Sequence, residues 1–364
     1  MDVFLDDKNS LTLLRAVAHG VAGLALVPSP HMRPIAPRVG YFNLWKLGIS
    51  PLLCYLGIPE RTRLGLLVPT ASSRIQSKDV TCHVSTALRG RSPFWQLVSA
   101  NPQCPSPLLA DESRVYVLSP PNVVLGMAAR LCKRSDGRAM PMYRSVLMLL
   151  KLCLELCGTY SHDPFEPHMG EVAYGINPLT CARELREVFA EVGGERGIAL
   201  ARVATDMVYD LSGSPQESCM GPALFFPDSY GGLGLGAFDA NKPLDLNDDE
   251  RQSIGYRQIT PDFTLPGQKA VIEYLGSIHN EGANPRIDHV RSLDYATLGI
   301  REFGFWYEDV RTRRDFMASA SRVVTALEQY GDGGVKRRFA RLAASSAFAE
   351  RQEALFQVFR PWQR

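Results

Sequence analysis

Two carboxylates in the last third of the chain are spaced for metal chemistry. The segment from Tyr256 to Gly276 reads as a β-hairpin, with Gly267-Gln268 as a two-residue type II′ turn, glycine first. That turn pairs Pro266 with Lys269 and Leu265 with Ala270, and the same ladder sets Asp262 directly opposite Glu273. On one face of a hairpin such partners have Cβ atoms about 4.5–5.5 Å apart. Like charges placed that way repel, and a fold keeps them only with a compensating cation. A divalent ion held by carboxylate oxygens, Mg²⁺ or Mn²⁺, is the economical answer. The competing expectation is a longer turn with the register slipped by one, which turns each acid toward water.

The sequel adds polar groups at regular intervals. His279 follows Gly276, and a helix is expected from Pro285, with Asp288, Arg291 and Tyr295 on one face and Gly299 at its end. A strand, Glu302–Tyr307, comes next. Upstream, Ser214-Pro215-Gln216-Glu217 has the form of a helix start, with Ser at the cap, Pro first and Glu third, for a helix to about Phe225.

Taken together, Asp262, a hairpin, Glu273-x-x-Gly276-x-x-His279, Asp288-x-x-Arg291, Gly299 and a strand resemble the very-short-patch-repair (Vsr-like) branch of the restriction-endonuclease-like PD-(D/E)xK superfamily. The resemblance covers about residues 215–330. The phrases Glu155-Leu-Cys-Gly158, Ser214-Pro-Gln-Glu217 and Gly231-Gly-Leu-Gly-Leu235 also resemble uncharacterised bacterial proteins with this ending, which carry no known activity. The family implies a three-layer α/β/α domain and a metal-dependent phosphodiesterase acting on DNA. In that role Asp262 and Glu273 would hold Mg²⁺, which polarises the phosphate and activates water. Glu217 stands where the superfamily often has a further carboxylate, although a capping box alone accounts for Ser214 and Glu217. His279 would be general base or phosphate orienter, with a structural histidine as the alternative. Arg291 would clamp a phosphate or pair with Asp288. One departure counts against activity: the superfamily has a polar residue two positions after the strand glutamate, and here that residue is Leu275. Lys269 lies on the same face but about 13 Å along the strand. Two function classes therefore stand, a Mg²⁺-dependent nuclease and a catalytically inactive relative that binds DNA or a protein as a regulator. A structural protein that self-associates through its charge pattern is a weaker third.

Other motifs fail on context. Gly232-x-Gly234-x-x-Ala237 has no strand before it, and Asn241-Lys-Pro stands where a helix should begin. Ser161-His162-Asp163 cannot align base behind nucleophile as consecutive neighbours. No HExxH occurs, and Cys82-His83 has no partners at ligand spacing.

The elements that must position these residues fall into an α+β multi-domain chain. The expected division is a basic α+β domain over 1–143, a helical connection over 144–213, the restriction-endonuclease-like domain over 214–330 and a basic C-terminal helix over 331–364. Net charge is +2 in 364 residues, which gives no global signature of a nucleic-acid binder. Internally the charge is segregated: +9 over 1–150, −11 over 151–300 and +4 over 301–364. Helical spacing marks 11–26, 144–157, 180–192, 196–210, 315–330 and 335–358, and strand-like runs mark Leu64–Val68, Val80–Val84 and Val115–Leu118. Pro120-Pro121 then open an apolar helix through Leu131. Eight cysteines without a CxxC pair, an acidic N-terminus and no apolar run of membrane length lead to the expectation of a cytoplasmic protein with reduced thiols and no membrane partner.

Overall fold

The structure, a computed structural model, describes residues 2–20, 23–29, 52, 64–68, 80–84, 92–101, 103, 114–132, 140–276, 285–328 and 334–359. It is a mixed α+β chain whose contacts divide it into two units. The first comprises Met1–Ala139, Tyr160–Asp206 and Trp362–Arg364, the second Met140–Thr159 and Met207–Pro361.

In the first unit, β1 (Asp2–Phe4), β2 (Leu24–Pro28), β5 (Phe94–Ser99) and β6 (Arg114–Leu118) form a sheet in the order β1-β6-β5-β2. β3 (Leu64–Val68) and β4 (Val80–Val84) pair in parallel, where strand-like runs were expected. Helix α1 covers Asp7–Ala18, so the helical spacing read through residue 26 overran. The chain passes Gly20 and Gly23 with positive φ, and Leu24–Pro28 leaves the helix to join β5 antiparallel. Helix α2 (Pro120–Leu131) starts at the proline pair, as expected. The short β7 (Tyr160–Ser161) and β8 (Ala173–Tyr174) pair, and α4 (Ala182–Glu191) and α5 (Ile198–Asp206) complete the unit. Ser161, in β7, and His162 are buried, and Asp163 accepts from the N–H groups of Phe165 and Glu166 (2.7 Å each) in the loop that follows.

The second unit carries the residues of interest. Helix α3 (Met142–Leu156) buries Val146, Leu150 and Cys153 along one apolar stripe. Cys153 and Cys157 both face inward, and burial pushes the Cys153 thiol up. Next come α6 (Pro215–Phe225), β9 (Asp239–Ala240), α7 (Asp248–Ser253), β10 (Phe263–Leu265), β11 (Ala270–Tyr274), α8 (Pro285–Thr297) and β12 (Arg301–Phe305). The acidic stretch Asp245–Glu250 has the loop-like composition Asp-Leu-Asn-Asp-Asp-Glu. It instead opens α7, where Asn247 and Glu250 form a capping box. The sheet order is β12-β11-β10-β9. β9, β10 and β11 are an antiparallel meander, and β12 returns parallel to β11 because α8 carries the chain back across. Gly299, with φ +65, ends the α8 turn as expected. The expected strand through Tyr307 stops at Phe305, and α9 (Tyr307–Arg311) begins there. α10 (Arg313–Glu328) follows. The single helix expected over 335–358 is two, α11 (Val335–Ala343) and α12 (Ser346–Phe359), which break at Ala344-Ser345. The Ser345 hydroxyl accepts from the Phe348 N–H (3.2 Å), a serine bond of the kind that starts a new helix. No helix among the described residues is long and apolar enough to cross a membrane.

Candidate functional site

The hairpin holds the predicted register by a different turn. Phe263 pairs Ile272, Thr264 pairs Val271 and Leu265 pairs Ala270. Pro266–Gln268 form a 3₁₀ turn and Lys269 takes the left-handed region at φ +45, so the loop has four residues rather than two. It opens by one residue on each side of the same midpoint, so the expected Pro266–Lys269 pair is absorbed into the turn while Leu265 still faces Ala270 and the register beyond is unchanged. Lys269 is thereby spent on the turn, far from the acids along the strand.

One step past Phe263–Ile272, Asp262 and Glu273 meet. The Asp262 N–H donates to Glu273 Oε2 (3.3 Å), and the Tyr274 N–H donates to Asp262 Oδ2 (2.6 Å). Pro261 has no N–H to extend the ladder, and the two carboxylates take over its end. Glu273 is 1% exposed, in a strand whose residues from Ala270 to Glu273 are all buried. A strand covered on both faces normally reads as continuously apolar, so a glutamate within Ala-Val-Ile-Glu-Tyr is the signal that marks this position.

α8 supplies the groups above Glu273. The fully buried Tyr295 packs its ring with Val271, Ile254 and Ile259, and its hydroxyl donates to Glu273 Oε1. Val271 and Glu273 are two apart on one strand face, which is why a single tyrosine spans both. One helical turn earlier, Arg291 Nη1 lies 3.5 Å from Glu273 Oε2. The structure thus pairs Arg291 with Glu273.

Glu217 comes from α6. The Ser214 Oγ caps the helix by accepting from the Glu217 N–H (3.1 Å) and donates to Glu217 Oε1 (2.9 Å). Oε2 accepts from the Gly213 N–H (2.7 Å) and from Asn241 Nδ2 (3.2 Å). The return bond of the cap therefore comes from Gly213. The helix is tied to the sheet by Phe225, whose ring meets Phe263 with centroids 5.4 Å apart, and by the Tyr209 hydroxyl, which donates to the Glu217 carbonyl (2.9 Å). Capping occupies Glu217, yet its charge raises Asp262 and it is itself repelled by Glu273.

Among the described residues the electrostatics follow from the buried Glu217 and Glu273, the half-buried Asp262 and the guanidinium of Arg291. Burial pushes Asp262 up to about 8, with Glu217 adding repulsion, against the opposing pull of the Tyr274 N–H and Arg291. Burial pushes Glu273 up to about 7, with Asp262 repelling it and Tyr295 and Arg291 pulling back. Glu217 is raised by burial, offset by its hydrogen bonds. The Tyr295 hydroxyl is raised by burial and by Glu273, so it acts as a donor only. Among the described residues no group of three or more His, Cys, Asp or Glu side chains is arranged to hold a metal by itself. The carboxylates that meet are Asp262 and Glu273, an all-oxygen pair of the kind hard divalent ions take. Mg²⁺ keeps several waters and needs only one or two protein carboxylates, with substrate phosphates completing its shell.

Of the remaining expected residues, His279 lies outside the described residues, and Asp288 falls within α8. Leu275, on the same strand face as Glu273, lies over Gly304 of β12, where a Cβ would come within 2.4 Å of Leu275 Cδ1. Tyr295 as a partner of Glu273 was not expected from the sequence. The i, i+4 spacing from Arg291 was the available hint. Searches against protein-family models, curated proteins and solved structures found no match for this chain.

Proposed function

We propose that this chain is a metal-dependent nuclease of the restriction-endonuclease-like type, hydrolysing DNA phosphodiester bonds at the Asp262–Glu273 hairpin. The observation that carries this reading is the meeting of the buried Glu273 with the half-buried Asp262, both held well above the usual carboxylate range, with Arg291 as the guanidinium beside them among the described residues. The order of α6, the β9–β10–β11 meander with α7 between its first two strands, α8 and the parallel β12 supports the family reading. Asp262 and Glu273 would hold Mg²⁺ or Mn²⁺, which when bound lowers the pKa of water and polarises the phosphate. Tyr295 holds Glu273 in place, and Arg291 lies close enough to meet a phosphate oxygen. The basic α11, with Lys336, Arg337, Arg338 and Arg341 and no acid, offers cations for a nucleic-acid backbone.

A second reading is favoured by one observation. Leu275 over Gly304 puts an apolar contact where the superfamily has a polar group, which suits an inactive relative that binds DNA or a protein partner. The deciding experiment is cleavage of supercoiled plasmid with and without Mg²⁺. The expected result is Mg²⁺-dependent nicking that falls by roughly 10²-fold or more in Glu273→Gln and Asp262→Asn, with DNA binding kept. Salt-sensitive binding without nicking by the unmodified protein would establish the second reading. Cleavage that survives Asp262→Ala with Glu273→Ala would place the chemistry elsewhere.

A further inference from the structure

We infer that Arg291 is a resident counter-charge whose place a divalent cation takes, releasing the guanidinium to a phosphodiester oxygen. The inference rests on the metal site proposed above. Glu273 has two donors of opposite character. Tyr295 is fully buried, is packed among Val271, Ile254 and Ile259, and caps Oε1. Arg291 is 39% exposed and touches Oε2 through one nitrogen at 3.5 Å. Oε2 is also the oxygen turned toward Asp262, since it accepts that residue's N–H.

The hold on Arg291 is weak by the standard of this molecule. Arg257 grips Asp294 through two nitrogens, with Nε at 3.0 Å, and Arg130 grips Asp7 through two and Asp6 through a third contact at 3.0 Å. Bidentate pairs are geometrically locked, whereas a single long contact from a flexible side chain is readily exchanged. A +2 ion between Asp262 and Glu273 would compete with Arg291 for Oε2 and would repel the guanidinium at a few ångströms. Tyr295 keeps Oε1 occupied throughout, which leaves Oε2 as the oxygen both cations want. The released guanidinium stays on α8, beside the acids, with its donors free for an anion.

The test is Mn²⁺ binding to the full chain without nucleic acid, followed by calorimetry. Arg291→Met and Arg291→Gln should each bind Mn²⁺ about 3–10-fold more tightly than the unmodified protein, because the competing charge is gone. The same variants should bind duplex DNA more weakly, with a log K against log salt slope reduced by about one. Arg291→Lys should restore both properties toward the unmodified values. Two variants of different polarity guard against a folding artefact, and unchanged circular dichroism qualifies each. Equal or weaker Mn²⁺ binding by both, with the unmodified protein binding normally, makes Arg291 a structural partner and overturns the inference alone. No Mn²⁺ binding by any form removes the metal site itself, and the exchange with it.

Discussion

The two units each bury a cluster of carboxylates, and they neutralise them differently. In the first, Asp6 caps α1 by accepting from the Asn9 N–H (3.1 Å), and Arg130 reaches across from α2 to grip Asp6 and Asp7 together. Those contacts raise the Arg130 guanidinium still further above its ordinary value. Gly126, one turn earlier on α2, leaves the space that Asp7 fills, since a Cβ there would lie 2.8 Å from Asp7 Cβ. In the second, among the described residues, a loosely held Arg291 faces Glu273 and Asp262 with Glu217 nearby, and all three acids are pushed toward the neutral form. A buried acid with a matched, locked cation serves the fold. Acids short of positive charge are held toward their neutral form and repel one another when ionised, which is the property the proposed cation would relieve.

Breaking the matched cluster should have the larger effect. Arg130→Ala leaves two buried carboxylates without their cation and should cost about 3–5 kcal/mol in urea unfolding. A cost under about 1 kcal/mol would show that the first cluster is no better compensated than the second.

The mismatched cluster should respond to pH in a definite direction. Folded Asp262 and Glu273 hold protons more tightly than the same groups in the unfolded chain. Their contribution is therefore complete at low pH and is lost as pH rises through about 7 and about 8. Without metal, stability should drop by about 2–4 kcal/mol between about pH 5.5 and pH 9. Mg²⁺ should flatten that slope, and Glu273→Gln should remove a large part of it. A flat profile in the metal-free protein would erase the contrast between the two units.

The smallest effect separates the two roles of Glu217. Ser214→Ala removes the α6 cap and should cost about 1 kcal/mol. If Glu217 serves only the helix start, any rise in that cost between about pH 6 and pH 9 will come from its own lost Ser214 bond and will be unchanged in an Asp262→Asn background. If Glu217 belongs to the acid cluster, that rise will shrink when Asp262→Asn removes the charge Glu217 repels.

Much of this site could be read from local patterns. The hairpin register depends on the alternation of side chains and on the midpoint of the turn, both of which are written in Phe263–Tyr274. A four-residue loop about the same midpoint could not disturb it. The α6 cap, the α8 stop at Gly299 and the crossover to β12 are likewise short-range signals, because Ser, Pro and Gly act within a turn or two of themselves. What surrounds the acids was decided by packing. Tyr295 lies 22 residues from the glutamate it bonds. Only the burial of its ring against Val271 aims the hydroxyl there. Helical spacing could not tell the strand β2 from the end of α1, or two helices from one at Ala344-Ser345, since a periodic apolar pattern does not report where the chain turns. Nor could it place Glu217 within reach of the hairpin's charge: the capping geometry is local, but the convergence of α6 with β10 comes from the Phe225–Phe263 contact. Sequence by itself determined which residues could do chemistry and which face of their own element they share. The tertiary structure alone decided how many cations those acids would meet, because burial and charge matching are set by segments distant in the chain.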